Sequence, residues 1–165
     1  MKEIWVMRHA KSEWSHPDLT DFDRPLNKRG KRDAPRMGEW IRLYGSPPEL
    51  IVSSPAKRAK ATTRAVADVM GTKAPLQWWD ELYPGDVDTT MKRIRQLSNE
   101  IDRILVVGHN PHQGELVSYL VADGHLRLRL PTAAIVLLAG EIESWKQPSR
   151  SRFYLKGFVS PKLLK

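Results

Sequence analysis

The chain of 165 residues contains no cysteine. This absence excludes a disulfide framework, a thiol nucleophile and a zinc–thiolate site. Also missing is any apolar run close to the ~20 residues that a membrane-spanning helix needs. The charged Lys2-Glu3 start precedes only a short apolar run, which Arg8 interrupts. We therefore expect no signal peptide, no membrane contact and a cytoplasmic location.

Acidic residues are scarce relative to basic ones, with 19 Asp and Glu against 27 Lys and Arg, a formal charge of +8. This balance favours anionic partners such as phosphoesters, acidic proteins or nucleic acid. No recognised nucleic-acid motif accompanies the charge, so we do not expect nucleic-acid binding. The cations of segment 28–36 fit a solvated helix face better than a binding site, and the sequence does not determine their role. Length and a hydrophobic fraction of 41% predict one folded domain over residues 1–165.

Predicted strands alternate with predicted helices along the chain. Strands are expected at residues 4–7, 50–52, 76–78, 104–107, 133–138 and 153–155, the last a candidate for an antiparallel edge strand. Helices are expected from an N-cap at Asn27 to about 44, from an N-cap at Ser54 to about 70, from 87 to 100, and from 112 to 121. This alternation predicts an α/β fold: a three-layer α/β/α domain whose mainly parallel central sheet has helices on both faces.

Polar side chains follow three of the predicted strands. The first strand ends at Arg8 and His9, the second at Ser53-Ser54-Pro55 with Arg58 one turn further on, and the fourth at His109. Because parallel strands end at the same edge of a sheet, we expect these side chains to converge. Helix N-termini at that edge add amide donors. Two arginines, two histidines and a helix end predict a pocket for a tetrahedral dianion such as phosphate.

Such a pocket suits phosphoryl transfer. Charge builds on the equatorial oxygens of the transferred group, and positioned arginines can stabilise it without a metal. A neutral imidazole can attack phosphorus and form a covalent phosphohistidine that water then hydrolyses. A non-catalytic phosphate-binding module is an alternative, although binding alone does not require an imidazole nucleophile.

A metal site is the other interpretation of the histidines. His109 and His112 are close enough in sequence to form a ligand pair, but no clear carboxylate or cysteine partner adjoins them. We therefore predict neither a metal nor a cofactor. Arg24 has two interpretations that the sequence does not separate: it lines the mouth of the pocket, or it pairs with Asp21 or Asp23.

Four segments, taken in order, resemble the signatures of the histidine phosphatase (phosphoglycerate mutase-like) superfamily. Arg8-His9-Ala10 resembles the Arg-His-Gly motif of that family, with alanine in place of glycine. The other three are Arg24-Pro25-Leu26-Asn27-x-x-Gly30, Ser53-Ser54-Pro55-Ala56-Lys57-Arg58-Ala59-x-x-Thr62 and Val107-Gly108-His109-Asn110-Pro111. The short chain and its Glu81-Leu82-x-Pro84-Gly85-Asp86 loop resemble the SixA-like branch, the small protein phosphohistidine phosphatases.

The resemblance implies a phosphoglycerate mutase-like fold and a metal-independent phosphatase. By that resemblance His9 is the nucleophile, and Arg8, Arg58 and His109 bind the phosphoryl group and its transition state. An Asp or Glu serves as general acid in larger members of the superfamily. The matching loop here makes Glu81 a candidate acid.

Further residues are candidates with less specific roles. Arg24 and Asn110 are expected to contact the substrate. Asp86 and Asp88 are the next carboxylates along the same loop, should Glu81 prove to lie elsewhere.

The expected substrate is a protein that carries phosphohistidine, for instance a histidine-containing phosphotransfer domain. The family's mutases and sugar bisphosphatases carry insertions that close over small substrates, and this chain is too short for them. An open site that a protein surface can reach is therefore expected. A small phosphomonoester is the alternative substrate, and we expect the protein to be a monomer.

Overall fold

Strands and helices alternate in the computed structural model, which describes residues 1–148 and 152–164. The strands are β1 (Lys2–Arg8), β2 (Leu50–Ser53), β3 (Leu76–Trp78), β4 (Arg103–Gly108), β5 (Ile135–Gly140) and β6 (Phe153–Val159). The helices are α1 (Lys28–Tyr44), α2 (Lys57–Met70), α3 (Val87–Ile94) and α4 (His112–Ala122). Short 3-10 turns occupy Asp80–Leu82 and Pro161–Leu163.

The strands form one sheet in the order β3-β2-β4-β1-β5-β6. The first four in that order are mutually parallel, β5 is antiparallel to β1, and β6 is antiparallel to β5. The predicted α/β fold with a mainly parallel sheet is thereby confirmed. β6 lies at the edge of the sheet and runs antiparallel to its neighbour, as the sequence predicted for residues 153–155.

Both faces of the sheet are covered. Along β1, Ile4 and Val6 pack into one apolar cluster, which includes residues of α3 and α4. Trp5 and Met7 point the other way, into a second cluster with residues of α1 and α2. Because side chains alternate across a strand, a continuous apolar run is buried on both faces only when each face has its own helical layer.

The antiparallel direction of β5 has a cause in the segment before it. After α4, residues 123–134 return to the end of the sheet where β1 finishes, and there the Leu130 carbonyl accepts from Arg8 Nη1 at 2.9 Å. Ala133, with φ of 62°, donates its N–H to the Arg8 and His9 carbonyls. β5 therefore starts two residues later than predicted and runs back alongside β1.

Helix boundaries agree with the sequence at Asn27 and differ in two places. Asn27 Oδ1 accepts from the Gly30 N–H at 2.9 Å and is the N-cap of α1, as predicted. Ser54 is not an N-cap, because α2 begins at Lys57. The predicted third helix ends at Ile94 rather than at Glu100. Turns follow Ile94, and they expose backbone carbonyls at 99 and 101 that accept from the Lys2 ammonium.

No helix within the described ranges is both long and apolar enough to cross a bilayer.

Candidate active site

The polar residues that follow β1, β2 and β4 meet in one cavity of about 380 Å³. Backbone hydrogen bonds fix their relative positions. The His9 N–H donates to the Gly108 carbonyl at 2.9 Å, and the Ser54 N–H donates to the Val107 carbonyl at 2.9 Å. The ring centroids of His9 and His109 lie 5.0 Å apart. The structure thus brings together the side chains that the sequence places at strand ends.

The contacts of His9 determine which ring nitrogen carries its proton. Nδ1 lies 2.7 Å from the Ala10 carbonyl, which can only accept, so Nδ1 is the protonated nitrogen. The lone pair is therefore on Nε2, which accepts from Arg58 Nε at 3.3 Å. The neighbouring Ala10 N–H is held by the Thr62 hydroxyl at 3.0 Å. Nε2 is consequently a neutral nucleophilic atom placed beside a guanidinium.

Burial lowers the pKa of His9 well below its usual 6.5, and the charges of Arg58 and Arg8 act in the same direction. We expect the His9 ring to remain neutral as the pH falls from 7.5 to 6. An imidazole of ordinary pKa would be about three-quarters protonated at pH 6. An NMR titration of the histidine Cε1–H signals, with His9→Asn to assign the resonance, measures this. A His9 midpoint near 6.5 would contradict it.

Two buried nitrogens of cavity-lining residues have no hydrogen-bond partner among the described residues. They are Arg8 Nε and His109 Nδ1. The Ser54 hydroxyl accepts from the Ala56 N–H and lies 2.7 Å from His109 Nε2. If that hydroxyl donates to Nε2, the ring proton is on Nδ1. A buried donor left unpaired costs about 1–3 kcal/mol, so Arg8 Nε favours binding of an anion, as does His109 Nδ1 in the tautomer that places the ring proton there.

The charge of the site comes from the arginines. Burial lowers the pKa of Arg8 and of Arg58 below the usual guanidinium value, but guanidinium groups in proteins stay charged. Burial and the nearby Arg58 charge lower the pKa of His109 to about 3. Near neutral pH the cavity is therefore lined by the cationic guanidiniums of Arg8, Arg24 and Arg58 and by two neutral imidazoles, a combination suited to a tetrahedral dianion.

Sequence reasoning missed the role of Asp21, which several donors converge on. Its Oδ2 accepts from Arg58 Nη2 at 3.1 Å and from Tyr83 Oη at 2.8 Å. Its Oδ1 accepts from Arg24 Nε and Nη2, each at 3.1 Å. The only signal in the sequence was the length of the polar segment 11–25, a length typical of functional loops.

Asp21 is ionised at neutral pH. Partial burial would raise its pKa, but the Tyr83 hydrogen bond and the charge of Arg58 outweigh this and lower the pKa to about 2. The carboxylate is therefore a counter-ion of the arginines and has no proton to donate at neutral pH. An arriving phosphoryl group would compete with it for Arg58.

Both interpretations of Arg24 hold in the structure. It lines the cavity and it pairs with Asp21. Its Nη1 also donates to the Ser12 hydroxyl at 2.6 Å, and its guanidinium stacks 3.5 Å from the Trp14 ring centroid. Asn110 lines the same cavity, with its Nδ2 donating to the Leu130 carbonyl at 2.8 Å.

The structure does not bring Glu81 into this group. Its carboxylate pairs with Arg93 Nη1 at 3.3 Å, in a separate surface depression beside α3. Asp86 is the N-cap of α3, accepting from the Thr89 N–H, and Asp88 lies in the first turn of that helix. Both line a neighbouring groove. Of the described residues, Asp21 supplies the carboxylate that lines the cavity.

His112 is buried and is not among the residues that line the cavity. Its Nε2 lies 3.0 Å from the Thr90 hydroxyl, and its ring packs against the backbone of Gly85. In residues 1–148 and 152–164, no three His, Asp or Glu side chains are grouped so that they could hold a metal ion.

Comparisons with known proteins agree with this geometry. The family model described as histidine phosphatase superfamily (branch 1) matches residues 4–114. An uncharacterized protein of Mycobacterium leprae is 33% identical over 142 residues, covering 80% of this chain and 86% of its own length. Phosphohistidine phosphatase SixA of Escherichia coli is 30% identical over 123 residues, with 73% of each chain covered. The structure of the protein histidine phosphatase SixA complexed with tungstate superposes with a TM-score of 0.85, at 25% identity and 99% coverage of both chains.

Proposed function

The chain belongs to the histidine phosphatase superfamily, branch 1, and from that premise we propose that it hydrolyses phosphohistidine on proteins through a phosphohistidine intermediate at His9. The superfamily membership supports a phosphatase. The proposal adds the nucleophile, the substrate class and independence of metal. The observation that carries it is the His9 Nε2 lone pair, which faces Arg58 in a cavity where the buried donor Arg8 Nε has no hydrogen-bond partner among the described residues.

In the first step His9 Nε2 attacks phosphorus. The phosphorylated ring of the substrate takes a proton from solvent on its other nitrogen. The new Nε2–P bond then forms as the P–N bond of the substrate breaks, and the departing ring keeps that electron pair and leaves as a neutral imidazole. Arg8, Arg58 and His109 would hold the phosphoryl oxygens while charge accumulates on them. His9 becomes cationic in the intermediate, and its Nδ1–H stays hydrogen-bonded to the Ala10 carbonyl.

In the second step a water oxygen attacks phosphorus on the enzyme. The P–Nε2 bond breaks, its electron pair returns to His9, and the water proton passes to solvent. The cationic imidazole is a good leaving group, because it departs as a neutral ring. Inorganic phosphate and the starting form of His9 result.

The protonation states in the cavity support the proposed substrate class. An alkyl phosphate needs a general acid for its leaving oxygen, a contribution of about 10²–10⁴-fold in rate. The carboxylate at this cavity, Asp21, has its pKa lowered to about 2 and holds no proton at neutral pH. An imidazole leaving group has a reference pKa of about 6.5 and can take its proton from solvent. This difference supports phosphohistidine over phosphomonoesters.

A turnover panel tests the proposal. The enzyme would be offered a phosphohistidine protein, a phosphoserine peptide and a sugar phosphate, each with and without a chelator. We expect the phosphohistidine protein to be hydrolysed with the highest kcat/KM, and chelator to leave the rate unchanged. Preference for the sugar phosphate would favour a small-molecule phosphomonoesterase. Binding without turnover would indicate a phosphate-binding module, and loss of activity restored by a divalent ion would overturn metal independence.

Glu81→Gln is expected to change kcat/KM by less than about threefold on every substrate of that panel. The reason is its position: Glu81 pairs with Arg93 outside the cavity, whereas a general acid would contribute about 10²–10⁴-fold. Arg93→Gln, which breaks the same ion pair from the other side, is the matched control. A hundredfold loss confined to Glu81→Gln would show that the carboxylate reaches the reacting atoms.

A further inference from the structure

A cluster of basic side chains covers the first half of α1. We call it the α1 basic face and define it as Lys28, Arg29, Lys31, Arg32 and Arg36, with Asp33 buried among them. Five cations and one carboxylate give segment 28–36 a net charge of +4, half of the +8 of the whole chain. The face extends ~13 Å along the helix axis, since an α-helix rises 1.5 Å per residue.

The sign of this charge is unfavourable for the helix that carries it. The N-terminus of a helix bears a positive partial charge, so acidic residues stabilise the first turn and basic ones destabilise it. The first turn of α1 contains Lys28, Arg29 and Lys31 and no acidic residue. Helix stability therefore does not explain these cations.

Three of the arginines are held by one carboxylate. Asp33, with a side chain only 3% exposed, lies 3.4 Å from Arg29 Nε, 3.2 Å from Arg32 Nε and 3.6 Å from Arg36 Nη1. One anion cannot neutralise three cations. It restrains the guanidiniums while most of their charge stays available, and Lys162 lines the same depression. Restrained cations lose less conformational freedom when they bind a partner.

The α1 basic face is continuous with the catalytic cavity. Arg29 Nη2 lies 3.5 Å from the Thr132 hydroxyl, and Thr132 lines the cavity. At the start of the helix, the Asn27 N–H donates to the Lys11 carbonyl at 3.0 Å, and Lys11 also lines the cavity. A molecule whose phosphoryl group sits at His9 can therefore extend directly along the face.

We propose that the α1 basic face binds an acidic surface of the phosphorylated protein substrate and so selects acidic phosphohistidine proteins. This inference rests on the proposed function and specifies its substrate class. A length of ~13 Å exceeds what a phosphorylated amino acid could span from the cavity, whereas a protein surface can cover it. Charge complementarity of this kind mainly accelerates association and weakens as salt screens it.

The test uses two phosphohistidine peptides that differ in one feature. One carries four glutamates after the phosphohistidine, and the other carries four glutamines in the same places. Free phosphohistidine is the third substrate. For the wild-type protein at low salt we expect about tenfold higher kcat/KM on the glutamate peptide, mostly through KM, and a smaller difference at 0.5 M salt.

Lys28→Glu/Lys31→Glu is the test variant, and Lys73→Glu/Lys146→Glu, with the same change in net charge on exposed residues outside α1, is the control. The test variant should lose the preference for the glutamate peptide and keep its rate on free phosphohistidine, while the control keeps both. Its Tm should rise, because glutamate suits the first turn of a helix. Defective folding would instead lower the Tm and all rates together.

Two results would overturn the inference. One is equal kcat/KM for the two peptides with wild-type protein, and the other is an equal loss of preference in the test and control variants. If wild-type protein hydrolyses no phosphohistidine substrate, the proposed function fails. The face is then tested by fluorescence anisotropy with the unphosphorylated glutamate and glutamine peptides, where equal binding by wild-type and test variant would reject it.

Discussion

Replacing His9 with alanine is expected to abolish turnover and leave the fold intact. The side chain makes two polar contacts, with the Ala10 carbonyl and with Arg58 Nε, while the backbone bond from His9 N to Gly108 O does not depend on it. Loss of a covalent nucleophile lowers kcat on the order of a millionfold in a well-characterised protease. We expect a loss of similar scale here, with circular dichroism unchanged.

Trapping the intermediate measures this directly. Wild-type protein quenched during turnover of a ³²P-labelled phosphohistidine protein should retain label in an acid-labile, base-stable bond, and His9→Ala should retain none. His16→Ala is the control, because His16 is exposed and lies outside the residues that line the cavity. Activity of His9→Ala near the wild-type rate, or label that remains in this variant, would reject His9 as the nucleophile.

Local sequence signals predicted the elements that present the site. The apolar run of residues 4–7 predicted a strand buried on both faces, and each face does have its own helical layer. Asn27 predicted the start of α1, because an asparagine side chain can satisfy an N–H of the first turn without help from the rest of the fold. Such features depend on neighbours within a few residues, so the sequence contains all the information they need.

Other features depend on contacts that the sequence does not display. The apolar residues 133–138 fit a strand of either direction, and the direction of β5 is set by the path of the segment that precedes it. Serine is a common N-cap residue, but the Ser54 hydroxyl is hydrogen-bonded to the Ala56 N–H and to His109, which is 55 residues away. Tertiary contacts of this kind override the local preference.

The identity of the carboxylate in the site also depends on contacts that the sequence does not display. Glu81 was a candidate because of its place in a family motif, but in the fold it faces Arg93. The carboxylate that lines the cavity is Asp21, which is 37 residues from Arg58 and 62 from Tyr83. Only the folded chain brings these three together. Its ionised state also bears on the substrate, because the cavity offers a stabilised anion where an alkyl phosphate would need an acid.

Arg58→Ala is expected to lower kcat/KM about a hundred- to a thousandfold, which is the effect of removing one donor from a site that stabilises developing anionic charge. Arg58 is 5% exposed, and its guanidinium contacts both His9 Nε2 and Asp21. Arg64 is the matched control, since it lies on the same helix, is exposed, and has its guanidinium over the Trp78 ring. Arg64→Ala should change kcat/KM by less than about threefold, as expected for a surface cation outside the cavity.

Arg58→Lys distinguishes charge from geometry at this position. Lysine restores the positive charge but not the planar fork that can bind two phosphoryl oxygens at once, so we expect it to recover only part of the lost rate. Steady-state kinetics on a phosphohistidine protein, with Tm measured for each variant, would make the comparison. Similar losses in Arg58→Ala and Arg64→Ala would show that the start of α2 does not serve the phosphoryl group. Full recovery in Arg58→Lys would show that a point charge at this position is sufficient.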